Sequence, residues 1–391
     1  MLKVALEAQH ACTPTPRGIS YYSLQLIRKL LIRKQFDYGL TFFDGNKEMN
    51  NRQWINKYFG DLSFRLYECN DLDYRIAKSS KSAFDKRSYN EFTGAYDDVF
   101  HFMSLFSIPD NIDGQMIVTI HDMTPMKYPE LCDPSLVTAF NIGMERLKTT
   151  EPIVITVSLA SKKDILHYTD IPEKNINVIY LSYDEEFVGK NHSNDLSDYF
   201  SIDAPFLLYL GAVAKHKNIE RLVQAFENIS DRMPWVKLVI AGNPDQNAES
   251  VVNRITQSSL FGSKIHYLGY VTDEEKHALY SNALAFIFPS LYEGFGMPVL
   301  EAMARACPVI TSKVSSLPEI VGDAAILVDP YDIDELSTNM FNVVDSESLR
   351  NSLKNKGLNQ SMKFSWEKTA EETEKVYIDA VETSAKEIIK I

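Results

Sequence analysis

Cysteine is scarce: Cys12, Cys69, Cys132 and Cys307 are scattered over 391 residues and form no CxxC pair. That excludes a disulfide scaffold and a zinc ribbon, and it predicts reduced thiols in a cytoplasmic protein. No apolar run reaches about 18 residues, so no transmembrane helix is expected. The opening MLKVALEAQHA lacks the layout of a signal peptide and reads as a first strand. Basic residues are outnumbered, 40 against 53, and a net charge of −13 argues against general nucleic-acid binding. The deficit is uneven, −3 over residues 1–185 and −10 over the remainder. The less acidic half is the better one to approach an anionic membrane or acceptor. No GxGxxG follows the first strand, which disfavours a nicotinamide dehydrogenase. Two Asp-x-Asp triplets occur, Asp71-Leu72-Asp73 and Asp332-Ile333-Asp334. Neither follows an apolar strand, so neither reads as a metal site.

The remaining composition is that of a soluble globular protein, 45% hydrophobic and 24% charged. The length suits two domains of ordinary size. Short apolar strands alternate with helical stretches through most of the chain, which predicts parallel α/β architecture. Strands are expected near Leu2–Glu7, Leu40–Phe43, Val99–Phe102, Met116–Ile120, Ile153–Ser158 and Val178–Tyr180. A second series runs Phe206–Leu210, Lys237–Ala241, Ile265–Val271, Ala283–Phe288, Val309–Thr311 and Ala325–Val328. The polar stretch Asp184–Asp203 between them reads as a linker. Residues 45–95 are the least regular. A first helix from about Ile19 to Lys34 carries Leu24, Ile27, Leu30 and Leu31 on one side, with Arg28, Lys29, Arg33 and Lys34 elsewhere. It is expected to pack on a core; the alternative is a basic, membrane-facing helix. The basic run Arg75, Lys78, Lys81, Lys86, Arg87 offers the same choice between a solvated face and an acceptor or membrane contact.

One stretch concentrates chemistry: ALAFIFPSLYEGFGMPVLEAMARACPVITS, Ala283–Ser312. It reads as strand, glycine loop, helix, strand. Pro298 falls in the helix's first turn, where a missing N–H does no harm. A helix start behind such a loop favours anions, through unpaired amides and the helix dipole. Two carboxylates frame it, Glu293 in the loop and Glu301 inside the helix. Carboxylates beside an anion site make sense when the ligand also carries hydroxyls, as a nucleotide sugar does.

The segment EGFGMPVLEAMA, with Glu293 and Glu301 eight apart, resembles the motif of retaining glycosyltransferase family 4, the GT-B group 1 glycosyltransferases. The resemblance implies α/β architecture in two Rossmann-like domains facing across a cleft, with a C-terminal helix crossing back to the first. On that pattern residues 1–185 plus 369–391 form an acceptor-side domain, and 186–368 a donor-binding one. Further positions match residue by residue. Gly18 heads a loop where Ser20 replaces the family's second glycine, removing φ freedom there. Gly211 and Lys217 fall in the phosphate loop, with His216 where arginine is usual. Tyr270 and Val271 stand at the nucleobase corner, and Phe295, Gly296 and Met297 at the loop and helix start. His121 ends an apolar strand, where ligands sit in open α/β sheets, and Asp122 reads as a turn residue.

The resemblance assigns catalytic roles to His121 and Glu293, and donor binding to Gly18, Gly211, Lys217, Tyr270, Val271, Phe295, Gly296, Met297 and Glu301. It implies transfer of a hexose or deoxyhexose, mannosyl- or rhamnosyl-type favoured, from a nucleoside diphosphate sugar to a glycan or lipid-linked acceptor hydroxyl, with retention. No metal and no cofactor beyond that donor are expected, because Lys217 and the helix start can neutralise a diphosphate. A lipid-linked acceptor would bring the first domain to the inner face of the membrane. Two alternatives stay open: a catalytically silent nucleotide-sugar-binding subunit of a polysaccharide assembly complex, and a sugar-nucleotide epimerase of the same fold.

Overall fold

The computed structural model describes residues 1–45, 50–81, 83–84, 87–150, 152–183, 196, 200, 202 and 204–388, the last five by backbone only. The expected linker and Lys86 of the basic run therefore lie almost wholly outside the described residues. The chain divides into two compact units, residues 1–181 with 366–391, and residues 182–365.

Among the described residues the first unit holds seven strands: β1 (Lys3–Glu7), β2 (Asp37–Phe43), β3 (Arg65–Cys69), β4 (Val99–Phe102), β5 (Gln115–Ile120), β6 (Ile153–Thr156) and β7 (Ile176–Val178). Their order is β3-β2-β1-β4-β5-β6-β7, with every pairing parallel. The second holds β8 (Phe206–Leu210), β9 (Lys237–Ala241), β10 (Ile265–Gly269), β11 (Ala285–Phe288), β12 (Val309–Ser312) and β13 (Ile326–Val328). Their order, β10-β9-β8-β11-β12-β13, repeats the scheme, again all parallel. Both are doubly wound sheets whose order reverses once, between β1 and β4 and between β8 and β11. At such a switch point, loops leaving the carboxyl ends part and open a crevice for ligands.

Burial explains the strands' composition. Phe206–Leu210 is buried at every position, as expected when helices cover both faces of a parallel sheet. The helix Ile219–Ile229 repeats apolar residues at helical spacing and buries Ile219, Leu222, Val223, Phe226 and Ile229 against this sheet. Each fully buried aliphatic side chain contributes about 1.5–3 kcal/mol.

The helix Ile19–Arg33 packs on the first unit's core, but its buried face is Tyr22, Leu26, Ile27, Leu30 and Leu31, with Leu24 only half-buried. Its basic residues do not form a free face. Arg28 binds Asp61, Lys29 lies 3.7 Å from Glu367, and Arg33 binds Glu367 and Glu374. The last helix, Trp366–Ile388, supplies two of those acids and belongs to the first unit. Residues 45–95 contain an edge strand, β3, and helices Asn51–Phe59, Tyr74–Ser79 and Tyr89–Thr93. Within the basic run Arg75 binds Asp73, Arg87 lies 4.0 Å from Asp71 and over the Phe92 ring, and Lys78 sits over Tyr74.

Candidate active site

The second unit's switch point gathers most of the candidate residues. Beyond β8 the chain passes Gly211 and reaches a tight turn, Lys215–Lys217, closed by Asn218 in left-handed conformation. The Asn218 side chain donates to Pro289 O, 3.0 Å, and to Pro330 O, 2.7 Å. The Leu291 amide donates to His216 O, 2.8 Å. These bonds tie the β8 and β11 loops together. Their result is an ion pair: Lys217 Nζ lies 2.6 Å from Glu293 Oε1, with both side chains largely shielded from solvent. Lys217 also stands over the Phe288 ring at 5.3 Å.

The loop after β11 is held from below. Ser315 Oγ accepts the Glu293 amide at 2.8 Å and donates to Glu293 O at 2.6 Å. Ser316 Oγ lies 2.9 Å from both Glu293 O and Phe295 O. Phe295 is buried against Phe364, ring centroids 6.0 Å apart. Gly296, at φ +104, starts the helix Met297–Ala304, and a Cβ there would lie 2.8 Å from Leu317 Cδ2. Glycine is thus required twice over, by conformation and by space. Pro298 is the second helical residue. Glu301, one turn in, meets Lys276 Nζ at 3.4 Å and Tyr280 Oη at 3.4 Å. Burial raises the Tyr280 phenol well above its ordinary range, so it stays a neutral donor to that carboxylate. Tyr270 is exposed just beyond β10, and Val271 packs against the core.

His121 and Gly18 belong to the first unit. His121 follows β5, and its Nε2 lies 3.0 Å from Met103 O. A carbonyl only accepts, so Nε2 carries the proton. Burial lowers the imidazole pKa, keeping it neutral and leaving Nδ1 an acceptor. Nδ1 has no partner among the described residues. The Tyr22 ring meets His121 edge-on at 4.7 Å, and Tyr22 Oη is anchored by Thr119 Oγ1, 2.9 Å away. Asp122 accepts the Thr124 amide at 2.8 Å, a local turn. Gly18 precedes the helix Ile19–Arg33 at φ +51. Ser20 lies inside that helix, so replacing a glycine there costs no conformational freedom.

Residues 199–360 match the family model described as glycosyl transferases group 1. O-antigen chain mannosyltransferase B of Escherichia coli is 28% identical over 375 residues, covering 92% of this chain and 95% of that protein. Serotype-specific mannosyltransferase WbdA of Escherichia coli is 31% identical over 275 residues, 68% of this chain but 33% of that protein. Sucrose-phosphate synthase from Thermosynechococcus elongatus superposes with a TM-score of 0.73 at 19% identity, over 97% of this chain and 99% of that one. Residues 199–360 belong to the group 1 glycosyl transferases.

The fold of this glycosyl transferase is GT-B, built from two Rossmann-like units. Its structure joins Lys217 directly to Glu293 and puts Phe295, Gly296, Met297 and Glu301 on one loop and helix. Gly211 stands at the head of the Lys217 loop, while Gly18 and His121 sit in the other unit. Sequence reasoning missed Ser315, Ser316, Lys276 and Tyr280, all of which touch a candidate glutamate. Serines after a strand look like any loop, and Lys276 and Tyr280 look like helix surface. Both Asp-x-Asp triplets begin helices, with Asp73 accepting the Arg75 amide and Asp332 the Glu335 amide.

Proposed function

We propose that this glycosyl transferase moves a hexose of mannosyl type from a nucleoside diphosphate sugar to a hydroxyl of a glycan or lipid-linked saccharide, with retention at the anomeric carbon. The Lys217–Glu293 pair, at the carboxyl ends of β8 and β11, carries the reading. The cation of this pair suits a diphosphate, and the carboxylate beside it suits the hydroxyls of the attached sugar. Glu301, lying behind the helix start, suits ribose hydroxyls, with Lys276 and Tyr280 orienting it. His121 offers a neutral acceptor nitrogen, which suits a sugar hydroxyl rather than a phosphate. Support for the hexose comes from the first relative, named a mannosyltransferase and matched over 95% of its length. A lipid-linked acceptor would bring the first unit to the inner face of a membrane.

Chemically, Lys217 and the amides at the start of Met297–Ala304 would take up charge on the departing diphosphate. Glu293 would orient hexose hydroxyls beside the anomeric carbon as positive charge grows there. No step requires a metal, so activity should survive EDTA; loss in EDTA with recovery in Mn²⁺ or Mg²⁺ counts against this.

A panel of nucleoside diphosphate hexoses tests the proposal, with nucleoside diphosphate release measured with and without a glycan acceptor. A mannosyl donor should be consumed and its anomeric configuration kept in the product, as read by NMR. No release from any donor, or an inverted product, would sink it.

A further inference from the structure

Two serines between β12 and the short helix Leu317–Val321 break local rules. Ser315 holds φ +54, the left-handed region that side chains other than glycine, asparagine and aspartate seldom adopt. Ser316 occupies the N-cap of its helix, where a serine hydroxyl ordinarily accepts an amide of the first turn. It makes no such bond. Both departures aim hydroxyls at the loop after β11. Ser315 Oγ accepts the amides of Glu293, 2.8 Å, and of Ser316, 2.6 Å, and donates to Glu293 O, 2.6 Å. The single Ser316 hydroxyl proton is shared between Glu293 O and Phe295 O, and the side chain is fully buried. Local conformation is thus sacrificed for bonds to a backbone more than twenty residues earlier in the chain. Such departures concentrate where tertiary structure must hold a functional group.

We propose that Ser315 and Ser316 are positioning residues that clamp the Glu293 backbone on both its amide and its carbonyl. The clamp leaves Glu293 only its side-chain torsions, so its carboxylate stays beside Lys217, 2.6 Å away, and at the reacting end of the donor. The catalytic part of this inference rests on the function proposed above; the clamp itself does not.

Ser315→Gly is the decisive variant, because glycine is comfortable at φ +54 yet has no hydroxyl. Melting should stay near wild type. The turnover number should fall about tenfold, while nucleoside diphosphate affinity, set by Lys217 and Glu301, stays within about twofold. Ser315→Ala should lose turnover equally but melt lower, since it keeps the backbone strain. Adding Ser315→Gly to Glu293→Gln should cost no further activity. Amide hydrogen exchange over residues 290–297 should accelerate in Ser315→Gly. Wild-type turnover together with wild-type exchange in that variant would overturn the proposal, as would an additive loss in the double variant. If the wild-type protein consumes no donor, the functional reading fails, and the exchange measurement still decides the clamp.

Discussion

At the scale of single residues, the Lys217–Glu293 contact changes what each side chain is expected to do. Lys217 is already partnered before any diphosphate arrives, so donor binding must redistribute its charge. Removing Glu293 leaves that charge wholly available. Free nucleoside diphosphate, which has no hexose, should therefore bind Glu293→Ala as tightly as wild type or more tightly. Glu301→Ala should lose roughly tenfold in the same titration, through lost ribose contacts. In turnover assays Glu301→Ala should mainly raise the donor KM and Glu293→Ala mainly lower kcat. Calorimetry on both variants settles the division; weaker nucleotide binding in Glu293→Ala than in Glu301→Ala reverses it.

A second residue was hidden in the first strand. Glu7 ends β1 at the first unit's switch point and is buried, with its Oε1 accepting the Gln9 amide at 3.2 Å. Burial pushes its pKa up to about 7, tempered by nearby Ser107, the Gln9 amide and the Met103 backbone. Among the described residues no donor meets Oε2 in hydrogen-bond geometry. The folded state therefore holds this proton more tightly than the unfolded chain does. The associated stability is complete below the ordinary carboxylate pKa and is lost as pH rises through about 7. Its size is on the order of 3 kcal/mol. Glu7→Gln should match or trail wild type near pH 4.5 and melt higher than wild type at pH 8. A melting difference that does not vary with pH would refute this.

At the scale of elements, parallel strands were legible wherever both faces are buried. β4, β8 and β9 fall at the expected residues, because an uninterrupted apolar run flanked by turn residues has few other uses. β3 escaped because it lies at the sheet edge: Arg65–Glu68 are only half-buried, so RLYEC carries no strong pattern. What no pattern announces is the closeness of neighbouring loops. Gly242, just after β9 at φ +141, packs so tightly that a Cβ would lie 1.7 Å from Gly211 O. Its amide also donates to Gly269 O at 2.6 Å. Gly242→Ala should destabilise the second unit by more than about 3 kcal/mol, by forcing the β8 and β9 ends apart. Because Gly211 heads the Lys217 loop, nucleotide affinity should fall as well. Denaturant melts with calorimetry check both; a variant of wild-type stability would show that the loops yield.

At the scale of the whole molecule, the chain's last helix returns to the unit in which the chain begins. Glu374 is buried between Arg33 Nε, 2.8 Å, and Tyr38 Oη, 2.9 Å. Tyr377 Oη lies 2.7 Å from His101 Nδ1, whose Nε2 meets Thr119 Oγ1 at 2.8 Å. Burial lowers the His101 pKa to about 3, so this chain of bonds contains a neutral ring at any working pH. Thr369 donates to Tyr180 O at 2.7 Å. Glu374→Ala strands a buried phenol and leaves Arg33 with Glu367 alone, and should cost about 1–3 kcal/mol. Glu374→Gln, which can still accept from Tyr38, should cost less. Thermal melts of the two variants check the order; equal melting temperatures would mean that the helix docks by apolar contact alone.

The amino-acid sequence by itself determined the parallel α/β architecture, the strand-loop-helix unit around Glu293 and Glu301, and most strand positions. Those features follow from local periodicity and from glycine and proline chemistry, which act over a few residues. Only tertiary structure decided which side chains meet. Lys217 finds Glu293 seventy-six residues away, and Ser315 finds the same residue from the other side of the loop. The cations of Ile19–Arg33 make the same point, because Lys29 and Arg33 are met by Glu367 and Glu374 from the far end of the chain. Ion pairs and hydrogen bonds depend on distance in space, and a one-dimensional pattern does not contain that distance until the sheets have ordered their strands.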